Sequence, residues 1–192
     1  DLHQLTLPEK WGGLGFSSSD YMPVLSEVAG INGALRMVVH GANGMWRLVD
    51  QYGTDEQKQE WLPRMSAGET VTFGLTEPEN GTGRDITSSA VLDGDEWVIN
   101  GEKYWISGAG DPRCKIMIVM VKTSPGAAPH RQQSQILVPK DTPGVEIIEG
   151  MKVFGDDHAP YGHMHLRLNK VRVPKENILL GEGRGFEISQ LR

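Results

Sequence analysis

The sequence predicts an α+β chain: a helical segment, then a small antiparallel β-sandwich or barrel, then the opening of a second helical region. Three observations carry that reading. Helical periodicity with capping signals fills the first third, as far as Gly68. At Glu69 the pattern switches to short apolar alternations cut every few residues by Gly, Pro, Asn or Asp, the rhythm of antiparallel sheet. Strands that follow helices, instead of alternating with them, argue against a doubly wound fold.

The elements follow in order. Asp1 to Gly15 is a connection ending in the turn-rich Gly12-Gly13-Leu14-Gly15. Ser17-Ser18-Ser19-Asp20 offers N-caps, with Pro23 expected in the first turn and Tyr21, Leu25, Val28 and Ala29 on one face. Gly30 is the expected stop. A second helical stretch, broken by glycines, covers roughly Ala34 to Gln51. Thr54-x-x-Gln57 is a capping box for a third helix, which Pro63 is expected to kink or end.

In the strand region Val71, Phe73 and Leu75 alternate with Thr70, Thr72, Gly74 and Thr76, the pattern of a half-buried strand that stops at Glu77-Pro78. Ser89–Leu92 and Trp97–Ile99 flank Asp93-Gly94-Asp95, a hairpin signal. Asn100-Gly101 is expected to turn the chain again into Lys103–Ser107. The Ile-Met-Ile-Val-Met run within Lys115–Lys122 predicts a strand buried on both faces. Ser124–Gln133 is a surface loop, and Gln135–Val138, Val145–Ile148 and His163–Val173 complete the set, with Pro139, Pro143 and Pro174 at strand ends. The domain limits expected are 1–69 for the helical part, 70–179 for the β-domain and 180–192 for the second helical part. Both ends read as cut from a longer protein.

At 192 residues the chain is long enough for a real core, and its formal charge of −6 with scattered basic residues predicts no nucleic-acid footprint. One cysteine makes no internal disulfide, which fits a reducing compartment. No apolar run reaches membrane-spanning length, and no leader is visible from Asp1 onward, although a start without methionine leaves room for one already removed.

Chemistry concentrates between Val71 and Ser107. Strand ends bearing hydroxyls and free amides beside a flat indole suit a planar, polar-edged aromatic cofactor. Taken singly the residues say less: the loop from Thr76 to Thr82 reads as a polar turn, and Trp105 as a core side chain. His158, His163 and His165 invite a metal reading, but no fourth ligand or zinc spacing accompanies them, so packed or solvated histidines are expected and no metal site is assigned. Gly181-x-Gly183-x-Gly185 lacks the strand that a dinucleotide fingerprint needs and reads as a hinge. Cys114 has no partner histidine and reads as structural.

Phe73-Gly74-Leu75-Thr76-Glu77-Pro78 together with Tyr104-Trp105-Ile106-Ser107 resembles the flavin-binding middle domain of the acyl-CoA dehydrogenase family. Leu7-Pro8-Glu9-Lys10-Trp11-Gly12-Gly13-Leu14-Gly15, Tyr52-Gly53-Thr54-Asp55-Glu56-Gln57-Lys58 and Val171-Arg172-Val173-Pro174 match further family motifs in the same order. Ser107 to Lys115 and Gly183 to Gln190 are most similar to the branch of family members ten and eleven. The resemblance spans nearly the whole chain.

The resemblance implies an FAD-dependent oxidoreductase of fatty-acid metabolism (β-oxidation), which dehydrogenates an acyl-CoA thioester at its α,β-bond and passes a hydride to flavin N5. Phe73, Leu75 and Thr76 are then expected along the flavin's pyrimidine side, and Thr82, where relatives carry serine, near its phosphates. Trp105 is expected against the isoalloxazine, with the Ser107 hydroxyl near N5. The family's glutamate base lies in its C-terminal helical domain, so no catalytic residue is assigned here, and Glu77 is expected to serve the loop. Further implications are an electron-accepting flavoprotein, a homodimer or homotetramer, and a cytoplasmic location if bacterial or a mitochondrial or peroxisomal one if eukaryotic, the cytoplasm being preferred. A non-catalytic binding module and a flavin-dependent monooxygenase on the same scaffold are the alternatives.

Overall fold

A computed structural model describes residues 2–80, 83–158 and 161–190, which form two compact units, Asp1–Val71 and Thr72–Arg192. The α+β order is as expected.

The first unit is helical. α1 spans Ser18–Ile31, α2 Gly33–Gly44, α3 Trp46–Tyr52 and α4 Asp55–Ser66. Ser17 caps α1 by accepting from the Asp20 amide, and the Thr54–Gln57 capping box at α4 is complete on both sides. Leu5, Tyr21, Leu25, Val28 and Val39 form a shared core. Asn43, buried near the end of α2, donates to Val39 O at 2.8 Å and to Leu2 O at 2.7 Å, and accepts the Thr6 amide at 2.9 Å. These bonds tie the N-terminal connection to the place where the glycine-broken stretch divides.

Pro23 departs from expectation, being the sixth residue of α1, beyond the first turn. Pro63 does not end α4, since the helix continues through it to Ser66. Each proline removes one amide donor. At Pro63 the next turn is nonetheless made, because the Ala67 amide donates to Pro63 O at 3.0 Å.

The second unit is one curled, seven-stranded sheet resembling a half-barrel. Its strands are β1 (Thr70–Gly74), β2 (Ser89–Asp93), β3 (Glu96–Ser107), β4 (Cys114–Lys122), β5 (Gln133–Pro139), β6 (Val145–Gly150) and β7 (His163–Pro174). The order is β1-β4-β2-β3-β7-β6, with β5 on β4. The registers of β2–β3, β3–β7, β4–β5 and β6–β7 are antiparallel, whereas β2 meets β4 through one parallel pair, Ser89 opposite Lys122. β4 is buried on both faces, as its apolar run predicts. A short helix, α5 (Gly185–Gln190), packs on β5 through a Gln135 side chain that donates to Gly185 O and to Ser189 Oγ, both at 2.9 Å.

The β2–β3 hairpin turns at Gly94-Asp95, with Asp93 opposite Glu96. Asn100-Gly101, expected as a second turn, lies instead inside β3. There the pairing with β7 passes from Ile99–Val171 to Gly101–Leu168, so β7 carries an extra residue, and Lys170 adopts φ 51°. Further along, the pairing passes from Lys103–Leu166 to Ile106–Met164, and now β3 carries the extra residue. The two bulges offset one another. Ser107 consequently lies directly opposite His163.

Candidate functional site

β1 presents its apolar residues in an inverted sense. Thr72 and Gly74 are buried, whereas Val71, Phe73 and Leu75 are half-buried. Gly74 sits where an added Cβ would touch Lys103 Cγ at 3.5 Å, so the strand runs close over β3. Beyond β1 the Glu77 amide donates to Asn80 O at 2.9 Å and the Asn80 amide returns to Glu77 O at 3.2 Å, closing a turn across Pro78-Glu79.

Glu77 organises this loop from beneath. Its carboxylate accepts from Lys103 Nζ at 2.8 Å, from the Thr87 amide at 2.6 Å, from Thr87 Oγ1 at 2.7 Å and from the Ser88 amide at 3.0 Å. Lys103 Nζ also donates to Leu75 O at 3.2 Å, and the whole Lys103 residue is buried, at 0% exposure. Burial alone would raise the Glu77 pKa, but the Lys103 ammonium and the hydroxyl and amide donors prevail and hold it at about 2. Burial draws Lys103 down to about 8 against the pull of Glu77. Both groups are therefore ionised at neutral pH.

An ionised, enclosed carboxylate stabilises the fold only while it stays deprotonated. Its folded pKa lies below the unfolded value of about 4.3, so the contribution is complete above about pH 4.3 and is lost as pH falls towards 2. Thermal unfolding midpoints measured from pH 6 to pH 2 are expected to fall more steeply for the wild type than for Glu77→Gln. Parallel acid limbs would remove Glu77 from this role.

Trp105 occupies the second bulge. Its backbone adopts φ 60°, and its side chain is 40% exposed in spite of its size. A left-handed conformation at a bulky residue is costly, and a bulge beside a site re-aims the side chain it carries. The Trp105 amide donates to Met151 Sδ at 3.2 Å, and the indole meets His163 edge-on at 6.0 Å between centroids.

Two hydrogen bonds draw β1 and β3 together here. Tyr104 donates its amide to Thr76 O at 2.7 Å, and Thr72 Oγ1 donates to Ser107 O at 2.6 Å. The structure thus collects Phe73, Leu75, Thr76, Trp105 and Ser107 around one pair of strand ends. Thr82 lies outside the described residues.

Sequence reasoning missed Lys103 and His163. Ser107 Oγ and His163 Nδ1 are 2.8 Å apart, and burial, aided by His158, lowers the His163 pKa. His165 is engaged elsewhere, with Nε2 at 2.8 Å from Glu102 Oε2. Among the described residues no group of three His, Cys, Asp or Glu side chains could hold a metal ion. Cys114 is buried, and burial pushes its thiol up to about 11, so it stays protonated. The cross-strand position of His163 was legible once β3 and β7 were paired, but the register depended on two bulges.

Comparison with known proteins decides what scaffold this is. Residues 1–69 match the acyl-CoA dehydrogenase N-terminal domain and residues 72–171 the acyl-CoA dehydrogenase middle domain. The chain belongs to the acyl-CoA dehydrogenase family. It is 42% identical over 193 residues to mouse acyl-CoA dehydrogenase family member 10, covering 97% of this chain and 18% of that protein. To human acyl-CoA dehydrogenase family member 11 it is 47% identical over 154 residues, covering 78% and 20%. An acyl-CoA dehydrogenase structure from Geobacillus kaustophilus superposes with TM-score 0.88 at 28% identity, covering 98% of this chain and 49% of that one. A Mycobacterium smegmatis glutaryl-CoA dehydrogenase in complex with FADH2 superposes with TM-score 0.82 at 28% identity, covering 97% and 46%. The chain spans about a fifth of these curated relatives and about half of these solved structures.

The residues present fit a flavin. An exposed indole offers a flat face, half-buried Phe73 and Leu75 offer apolar edges, and Thr76 and Ser107 add hydroxyls at the strand ends.

Proposed function

We propose that this chain forms the flavin- and thioester-binding part of an FAD-dependent acyl-CoA dehydrogenase that introduces an α,β double bond into an acyl-CoA. The observation that carries the reading is that the Tyr104–Thr76 and Thr72–Ser107 hydrogen bonds bring the ends of β1 and β3 together, with the exposed Trp105 on the stretch between Tyr104 and Ser107. Bound FAD supplies the hydride acceptor. Phe73, Leu75 and Thr76 would line one edge of its ring system, Trp105 would cover a face, Ser107 would offer its hydroxyl, and Thr82 would serve the phosphates.

Glu77 does not abstract a proton. Its carboxylate is enclosed by Lys103, Thr87 and Ser88 and is a weak base at a pKa of about 2. The family resemblance favours a base supplied from outside these 192 residues, and this chain alone is expected to bind FAD weakly and to turn over nothing. Assembly as a homo-oligomer, transfer of electrons to a flavoprotein and a cytoplasmic setting belong to the same proposal.

The test is a visible absorption spectrum of the full-length protein, then anaerobic titration with acyl-CoAs of several chain lengths. A yellow protein that bleaches with one length class is the expected result. A protein that stays colourless with added FAD overturns the flavin reading. A yellow one that ignores every acyl-CoA and consumes oxygen rapidly when reduced overturns dehydrogenation.

A further inference from the structure

Ser107 and His163 face each other across β3 and β7, and Ser107 Oγ lies 2.8 Å from His163 Nδ1. A hydroxyl has one proton to give and lone pairs with which to accept. When Nδ1 carries a proton, it donates to Ser107 Oγ and leaves the serine proton available to a third group. When Nδ1 is bare, it takes that proton, and Ser107 offers only lone pairs. His163 thus decides whether Ser107 acts as donor or acceptor towards whatever rests against it.

The surroundings hold this pair in place. The Thr72 hydroxyl anchors the Ser107 carbonyl at 2.6 Å, and the Trp105 indole and the His158 ring each lie edge-on to His163 at 6.0 Å. Packing keeps the imidazole within reach of Ser107. The sequence spacing of His158, His163 and His165 suggests nothing of this, because the partner lies 56 residues away.

We propose that His163 is a positioning residue which, through Ser107, sets the hydrogen bond offered to the flavin and hence the balance between its oxidised and reduced forms. The inference rests on the flavin reading above. A neutral hydrogen bond contributes about 1 kcal/mol, so losing this one is expected to change the ratio of oxidised to reduced FAD affinity by fivefold to tenfold. A tenfold change is about 30 mV for a two-electron couple.

The experiment measures flavin midpoint potential, FAD affinity and the visible spectrum in the full-length holoprotein. His163→Phe keeps a ring against Trp105 but has no nitrogen. His163→Asn loses the ring but keeps a short amide able to give or accept at Ser107. The expected result is a shifted potential in His163→Phe, a potential nearer the wild type in His163→Asn, and no further shift when His163→Phe is added to Ser107→Ala. If His163→Phe matches the wild type, or if it shifts the potential equally with Ser107 absent, the imidazole acts by packing alone and the proposal falls. A full-length protein that binds no FAD overturns this inference and the flavin reading together; one that binds FAD with a potential indifferent to His163 overturns this inference only.

Discussion

Lys103→Met is expected to destabilise the chain by about 3–5 kcal/mol, the usual cost of leaving one partner of a buried ion pair unpaired. Lys103 is fully buried and Glu77 is 3% exposed, so water cannot replace the lost ammonium. Thr87 and Ser88 continue to donate to the carboxylate, but neither cancels its charge. The cost arises from the abandoned charge and not from the pair as such, because buried pairs are often replaceable as a unit. Lys103→Met combined with Glu77→Gln is therefore expected to recover most of the loss, since Gln presents an acceptor without a charge. Urea unfolding of the single and double variants measures both. Equal destabilisation in the two would show that the methylene packing of Lys103 matters and its charge does not.

Gly101→Ala is the second large effect, at roughly 2–4 kcal/mol from overpacking and backbone strain together. Gly101 adopts φ 148°, and an added Cβ would lie 2.2 Å from Ser88 Oγ and 2.7 Å from Ser88 Cα. A side-chain rotation relieves the first contact, but the second is with backbone. Ser88 also gives its amide to Glu77, so pushing it outward disturbs the cage around that carboxylate. Gly101→Ala and Lys103→Met should consequently combine non-additively, as changes that share a partner do. Gly126→Ala serves as the control, because nothing lies within 4 Å of its added Cβ and its φ is ordinary. Urea midpoints of both glycine variants provide the comparison, and equal losses would remove the steric account.

The order of elements was legible because it depends on local pattern. Period-two alternation, the Asp93-Gly94-Asp95 hairpin and the Thr54–Gln57 box each need only neighbouring residues. Where distant contacts decide, the sequence misled. Nothing in the local pattern marks Lys103, because its anion lies 26 residues upstream. Val71, Phe73 and Leu75 suggested a strand with its apolar face packed, yet the better-buried face belongs to Thr72 and Gly74. Thr72 spends its hydroxyl on Ser107 O, and Gly74 admits Lys103. Asn100-Gly101 has turn chemistry, but the same freedom at Gly101 serves a close approach within an unbroken strand. Trp105 and Ser107 were found as a motif. The φ of 60° that aims the indole, and the histidine opposite the serine, follow from a register that two bulges set.

The single parallel pair between β2 and β4 divides the sheet into two blocks, β1 with β4 and β5 on one side and β2, β3, β7 and β6 on the other. Few ladder bonds cross that line, so it is where native-state breathing would begin. The Lys103–Glu77 bridge, the Tyr104–Thr76 bond and the Thr72–Ser107 bond all join one block to the other. Phe73, Leu75 and Thr76 ride on the first block, and Trp105 and Ser107 on the second. A ligand gripped by both sets would act as a staple across that line, and slower amide exchange in both blocks at once would be the mark of its arrival.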